Sequence, residues 1–141
     1  MGKKAYYTLS FTWGLPLTLI GLIVGLVLMV FGFKPKKWLH GYYFEVNEKF
    51  AGLNLGVVFL CSNNCSTYVK NHEFGHGLQN CKYGLFTIFI VHLPSIVRHW
   101  YRRIRIKKGL ENKTNYYDIR FEKQASDWGT KAYEIYNEER G

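Results

Sequence analysis

The sequence predicts an α+β fold: one N-terminal transmembrane helix, then a small domain with a short antiparallel sheet and three helical segments. Three observations lead there. An uncharged apolar run extends from Phe11 to Phe33. Aromatic and β-branched residues cluster in short runs between Trp38 and Cys61, and a histidine motif at 72–76 sits in a helical stretch. The chain has 141 residues, 48% of them hydrophobic, enough for one domain core and a membrane segment.

The run FTWGLPLTLIGLIVGLVLMVFGF is long enough, at about 1.5 Å per helical residue, to cross a hydrocarbon core of about 30 Å. Lys3 and Lys4 precede it, Lys34, Lys36 and Lys37 follow it, and Trp13 and Trp38 lie near its ends as interfacial anchors. No small-residue cleavage pattern follows, which argues against a signal peptide. A soluble core helix is rarely apolar on every face for this length. The expected division is a basic-flanked anchor over 1–37 and a domain over 38–141. Basic residues are heavier after the run than before it, so the domain leans to the cytoplasmic side.

Tyr42, Tyr43, Phe44 and Val46 read as one strand and Leu55 to Leu60 as another, with Asn47 to Asn54 as a hairpin connection. Ser62, Asn63, Asn64 and Ser66 supply turn and N-cap signals for a helix from Thr67 to Gln79, which Asn80 or Gly84 would end. A second apolar run, Tyr83 to Val97, is short for a span and suits a re-entrant, interfacial or core helix. After the polar break Glu111–Asp118, with Asp118 a plausible cap, Ala125, Trp128, Ala132 and Ile135 recur at helical spacing within a helix from Ile119 to Glu138.

The net charge is +9, and much of it lies in RHWYRRIRIKK, from Arg98 to Lys108. Interleaved basic and aromatic residues can grip RNA, but beside an apolar segment anionic lipid headgroups are the expected partner and nucleic acid is not. Cys61, Cys65 and Cys81 are too few for a disulfide framework. They read as buried or reduced thiols, and a Cys61–Cys65 bridge would require an oxidising compartment.

His72-Glu73-Phe74-Gly75-His76 matches H-E-x-x-H. On a helix, residues four apart share a face, so both imidazoles can bind one metal while Glu73 leans toward a water on it. Zinc lowers the pKa of such a water from ~15.7 toward ~7, and a carboxylate base then takes its proton. A catalytic zinc needs a third protein ligand. Glu122 is the preferred candidate, on a helix far enough downstream to fold back. His92, embedded in an apolar run, and His99, among arginines, are the alternatives.

With Glu122-Lys123-Gln124-Ala125-Ser126 downstream, the chain resembles the gluzincins, within them the membrane metallopeptidases related to the heat-shock membrane protease and the CAAX prenyl endopeptidase. Their second motif reads E-x-x-A-D, so Ser126 replaces the aspartate that orients a ligand histidine. One turn beyond Glu122, Ser126 can still offer a supporting hydrogen bond. The chain is also similar to small bacterial membrane proteins sharing Gly52 to Gly56, His72 to Gln79 and Leu93-Pro94-Ser95.

The resemblance implies a minimal gluzincin-like domain and a membrane-anchored endopeptidase. One zinc would be held by His72, His76 and Glu122, with Glu73 as general base. It implies an edge strand over Asn54 to Leu60, with Asn54, Leu55, Gly56 and Val57 holding a peptide or protein substrate, and a bacterial cell membrane as the location. Tyr116, Tyr117, Tyr133 and His99 are open as oxyanion donors. The Ser126 departure motivates an alternative, an inactive zinc-binding membrane protein with a regulatory role.

Overall fold

The computed structural model describes residues 2–47, 52–109 and 120–140. Among them are five α-helices and one four-stranded sheet, an α+β arrangement. Helices α1 (Lys3–Ser10) and α2 (Leu15–Val30) precede strands β1 (Lys36–Trp38), β2 (Gly41–Glu45), β3 (Leu53–Leu55) and β4 (Val58–Cys61). Helix α3 (Thr67–Tyr83) carries the histidine motif. A 3₁₀ turn (Gly84–Phe86) and a π-helical segment (Ile88–His92) lead into α4 (Leu93–Lys107), and α5 (Arg120–Arg140) completes the described chain.

The expected single helix over Phe11 to Phe33 does not form. Residues 3–10 make a separate helix, and α1 and α2 meet at 92°. The cause lies in Gly14-Leu15-Pro16: a residue before proline disfavours helical backbone, whereas proline is at home in the first turn of a new helix. Pro16 accordingly occupies the first turn of α2, with Gly14 at its N-cap. With 16 residues α2 is about 24 Å long. Among the described residues no single helix is long and apolar enough to cross a membrane; α1 with α2, and α3 through the 3₁₀ turn with the π segment and α4, reach that length and apolarity only as bent pairs.

The first 37 residues pack against the rest of the fold. Tyr6 is 1% exposed and stacks on Phe74 of α3 at 5.3 Å, in a cluster with Leu39, Val57 and Cys81. Gly21 and Gly25 turn the inner face of α2 to the sheet, where a Cβ on Gly21 would run into the Leu55 carbonyl and Phe44 packs over Gly25. Asn80 of α3 donates to the Gly14 carbonyl at 3.1 Å and ties the start of α2 to the motif helix.

The sheet has order β1-β2-β4-β3 and is mixed, which corrects the antiparallel expectation: β2 pairs with β4 in parallel, and the other two pairings are antiparallel. The run Leu55 to Leu60 is not one strand but most of a hairpin, folded at Gly56-Val57 between Leu55 and Val58. Gly56 has φ +77°, suited to the first position of a two-residue hairpin turn. The Asn54 side chain fastens the turn by accepting from the Gly56 N–H at 2.8 Å and donating to its carbonyl at 3.2 Å. Doubling back makes β4 parallel to β2 and leaves β3 at the edge. Half of the expected Asn47–Asn54 connection, residues 48–51, lies outside the described residues, and Leu53 and Asn54 belong to β3.

Cys61 at the end of β4 and Cys65 in the turn before α3 form a disulfide, so of the three cysteines expected as buried or reduced thiols only Cys81, which is buried, remains a thiol. Ser66 caps α3, its hydroxyl accepting from the Val69 N–H at 3.3 Å, and Gly84 ends the helix with φ +58°.

Candidate metal centre

The centre lies where α3 crosses α5, the most extensive helix contact among the described residues. Small residues permit it. A Cβ on Gly75 would run into the backbone carbonyl of Ala125, and one on Gly129 into that of Asn71. The two backbones therefore touch, with Ala125 fully buried between them. This contact gives Gly75 of the histidine motif, and Ala125 three residues after Glu122, a structural role.

The close crossing brings the Glu122 carboxylate onto the motif face of α3. Its Oε2 lies 2.9 Å from His72 Nε2 and 3.1 Å from His76 Nε2. The three donor atoms lie within 4.8 Å of one another and all three residues are buried, so the group can hold a metal ion. Two imidazole nitrogens and a carboxylate oxygen are donors of the kind that divalent metal ions take.

The other ring nitrogens are held from behind. His72 Nδ1 is 2.7 Å from Ser126 Oγ, which is 3.0 Å from the Tyr68 hydroxyl. His76 Nδ1 is 2.7 Å from Gln79 Oε1. Ser126 thus stands against His72 in the manner a supporting oxygen requires. Gln79, fully buried, does the same for His76. Sequence reasoning assigned Gln79 no role, although its position three residues after His76 puts it within one helical turn of that ring.

Glu73 is buried beside the pair, with Gly52 packed so closely against its carboxylate that a Cβ there would meet Oε1. Burial pushes its carboxyl above the usual range, an effect opposed by His76 and His72 and reinforced by Glu122. Burial works against charging His76, but the bond to Glu122 and the Glu73 charge outweigh it and raise its pKa.

The alternative third ligands stand elsewhere. His92 has Nε2 3.0 Å from the Asn54 carbonyl and Nδ1 3.4 Å from that of Thr87, with its ring 6.1 Å from His76. His99 is exposed on α4. Of the oxyanion candidates, Tyr133 stacks flat on Trp38 at 5.4 Å, and Tyr116 and Tyr117 lie outside the described residues. In the expected substrate strand, Asn54 and Leu55 lie on edge strand β3, whereas Gly56 and Val57 form the turn. The Gly56 N–H and carbonyl are engaged by Asn54, and the Val57 carbonyl accepts from the Tyr42 N–H at 2.9 Å. Comparison with protein-family models, curated proteins and solved structures finds no match for this chain.

Proposed function

We propose that the chain is a membrane-anchored zinc endopeptidase with a minimal gluzincin-like domain. The observation that carries this reading is the buried His72, His76 and Glu122 group with Glu73 on the same helix beside it. Held by His72, His76 and Glu122, zinc would supply a Lewis acid that acidifies a water and polarises the scissile carbonyl. Glu73 would accept the proton of the attacking water at its carboxylate as the water oxygen adds to the carbonyl carbon. It then passes the proton to the amide nitrogen as the carbon–nitrogen bond breaks, leaving a carboxylic acid and an amine.

Strand β3 offers an extended peptide an edge to pair with, through Asn54 and Leu55 rather than the turn residues Gly56 and Val57. The His92 ring covers the Asn54 carbonyl, so a peptide pairing there displaces it.

The anchoring reading rests on apolar side chains that the fold turns outward. On α2 these include Ile23 (55% exposed), Leu26 (60%) and Val30 (84%), and on α4 Val97 (59%) and Trp100 (66%). A soluble monomer rarely leaves such a surface uncovered. The basic residues along α4 suit an anionic headgroup layer at the rim of this surface. The bacterial cell membrane is the proposed location. The basic flank favours a cytoplasmic domain, while the Cys61–Cys65 bridge favours an oxidising side. Protease protection of the C-terminus in sealed vesicles of known orientation assigns the side.

The test of the activity is zinc content and peptide cleavage by detergent-purified wild type and Glu73→Gln. About one zinc per chain in both, with cleavage only in wild type, is the expected result. A wild type that retains no zinc after reconstitution, or cleavage unaffected by Glu73→Gln, rejects it.

A further inference from the structure

Both ligand imidazoles present Nε2 to the Glu122 carboxylate and Nδ1 to a neutral oxygen. Behind His72 the chain of contacts runs to Ser126 Oγ and on to the Tyr68 hydroxyl. Behind His76 it runs to Gln79 Oε1. The Gln79 Nε2–H donates to Gln124 Oε1 at 2.9 Å, and the Tyr83 hydroxyl donates to the same oxygen at 3.1 Å. Each relay begins at a tyrosine of α3, crosses to α5 through Ser126 or Gln124, and returns to a histidine of α3. None of these relay atoms belongs to a carboxylate.

Resting on the reading of this site as a zinc centre, we infer that Tyr68 and Tyr83 are positioning residues of the metal ligands. They act through two neutral relays, and that neutral shell sets how tightly the ion is held. A ring whose Nε2 faces an ion carries its proton on Nδ1, so Ser126 and Gln79 accept from the two rings. Acceptance by an oxygen fixes the tautomer and the ring plane, but a neutral oxygen enriches the imidazole less than a carboxylate does. The two histidines are therefore oriented firmly yet donate weakly. The ion is held less tightly than it would be with charged acceptors, and it is more electron-poor. Tyr68 and Ser126 also line an open cavity of about 490 Å³ with Asp127, Thr130 and Lys131, which leaves room for a larger side chain at position 126.

The experiment is zinc affinity, by competition with a chromophoric chelator, together with the visible spectrum of the cobalt-substituted full chain in detergent. Variants are Tyr68→Phe, Tyr83→Phe, Ser126→Ala, Ser126→Thr and Ser126→Asp, with circular dichroism as the folding control. Ser126→Ala weakens zinc by about 10–100-fold, Ser126→Thr keeps the wild-type affinity, and Ser126→Asp tightens it by about tenfold and shifts the cobalt bands. Each tyrosine change weakens zinc by roughly 2–10-fold, the size of one neutral hydrogen bond. Tyr68→Phe has no further effect once Ser126 is alanine, because its influence passes through that hydroxyl. Wild-type affinity in folded Ser126→Ala, or a Tyr68→Phe effect that persists without the Ser126 hydroxyl, overturns the relay. A wild type that binds no zinc overturns the relay together with the zinc reading, whereas the first two outcomes leave the zinc reading standing.

Discussion

The α3–α5 crossing and the outer face of α2 treat their side chains in opposite ways. At the crossing, His72, Glu73, His76, Gln79, Glu122 and Ser126 are all buried, polar and hydrogen-bonded or set against charged neighbours. On α2 the exposed side chains are leucine, isoleucine, valine and methionine. Water would reverse both preferences: an isolated buried charge is expensive and an exposed apolar sheet of side chains is unfavourable. On the proposed reading, the difference teaches that each region would be completed by a different medium, a cation at the crossing and lipid around α2. It also separates what each tolerates. The crossing is limited by backbone contact and paired polar atoms, whereas the face of α2 is limited only by apolarity.

Four tests break or sharpen this contrast. The largest effect belongs to Glu73→Gln, which lowers peptide cleavage by about 10²–10⁴-fold while zinc content, read by elemental analysis, stays at the wild-type level. Next, Ile23→Lys and Leu26→Lys on exposed α2 each cost about 2.5–3.5 kcal/mol of membrane insertion. The readout is extraction from the membrane fraction by carbonate, with zinc binding of the detergent-solubilised protein unchanged; unaltered extraction removes the anchoring role of α2.

Smaller again is Gly129→Ala, at about 1–3 kcal/mol or more, because its Cβ meets the Asn71 carbonyl and forces the helices apart. It weakens zinc as well as lowering the melting temperature. Gly25→Ala is its control, since the nearest atom to that Cβ is a Phe44 ring carbon at 3.4 Å, an ordinary contact. Last comes Ser66→Ala, costing about 1 kcal/mol in thermal unfolding through loss of the α3 cap, with no change at the metal.

Much of the site was legible because helical spacing is a local property. The pair His72 and His76, the start of α3 after Ser66 and the late helix carrying Glu122 follow from residues near one another in the chain. The α2 break at Gly14-Leu15-Pro16 was equally local, but the continuous apolarity from Phe11 to Phe33 obscured it. The hairpin inside Leu55 to Leu60 was hidden because Gly56 looked like one small residue in an apolar strand. Gly56 has a positive φ in a turn bonded by Asn54, and a Cβ there would run into Thr18. Partners such as Tyr68, Tyr83 and Gln124 carried no sequence signal, since a hydroxyl or amide has no spacing rule linking it to a residue on another helix.

By itself, then, the sequence determined the α+β class, the histidine pair and the apolar character of residues 11–33, each set by neighbours within a few residues. Only the tertiary structure decided that Glu122 meets both imidazoles, that β2 and β4 run parallel, and that neutral oxygens stand behind each ring. The physical reason is distance along the chain. Glu122 is separated from the motif by about fifty positions, and what joins them is a backbone contact that only glycine at 75 and 129 allows.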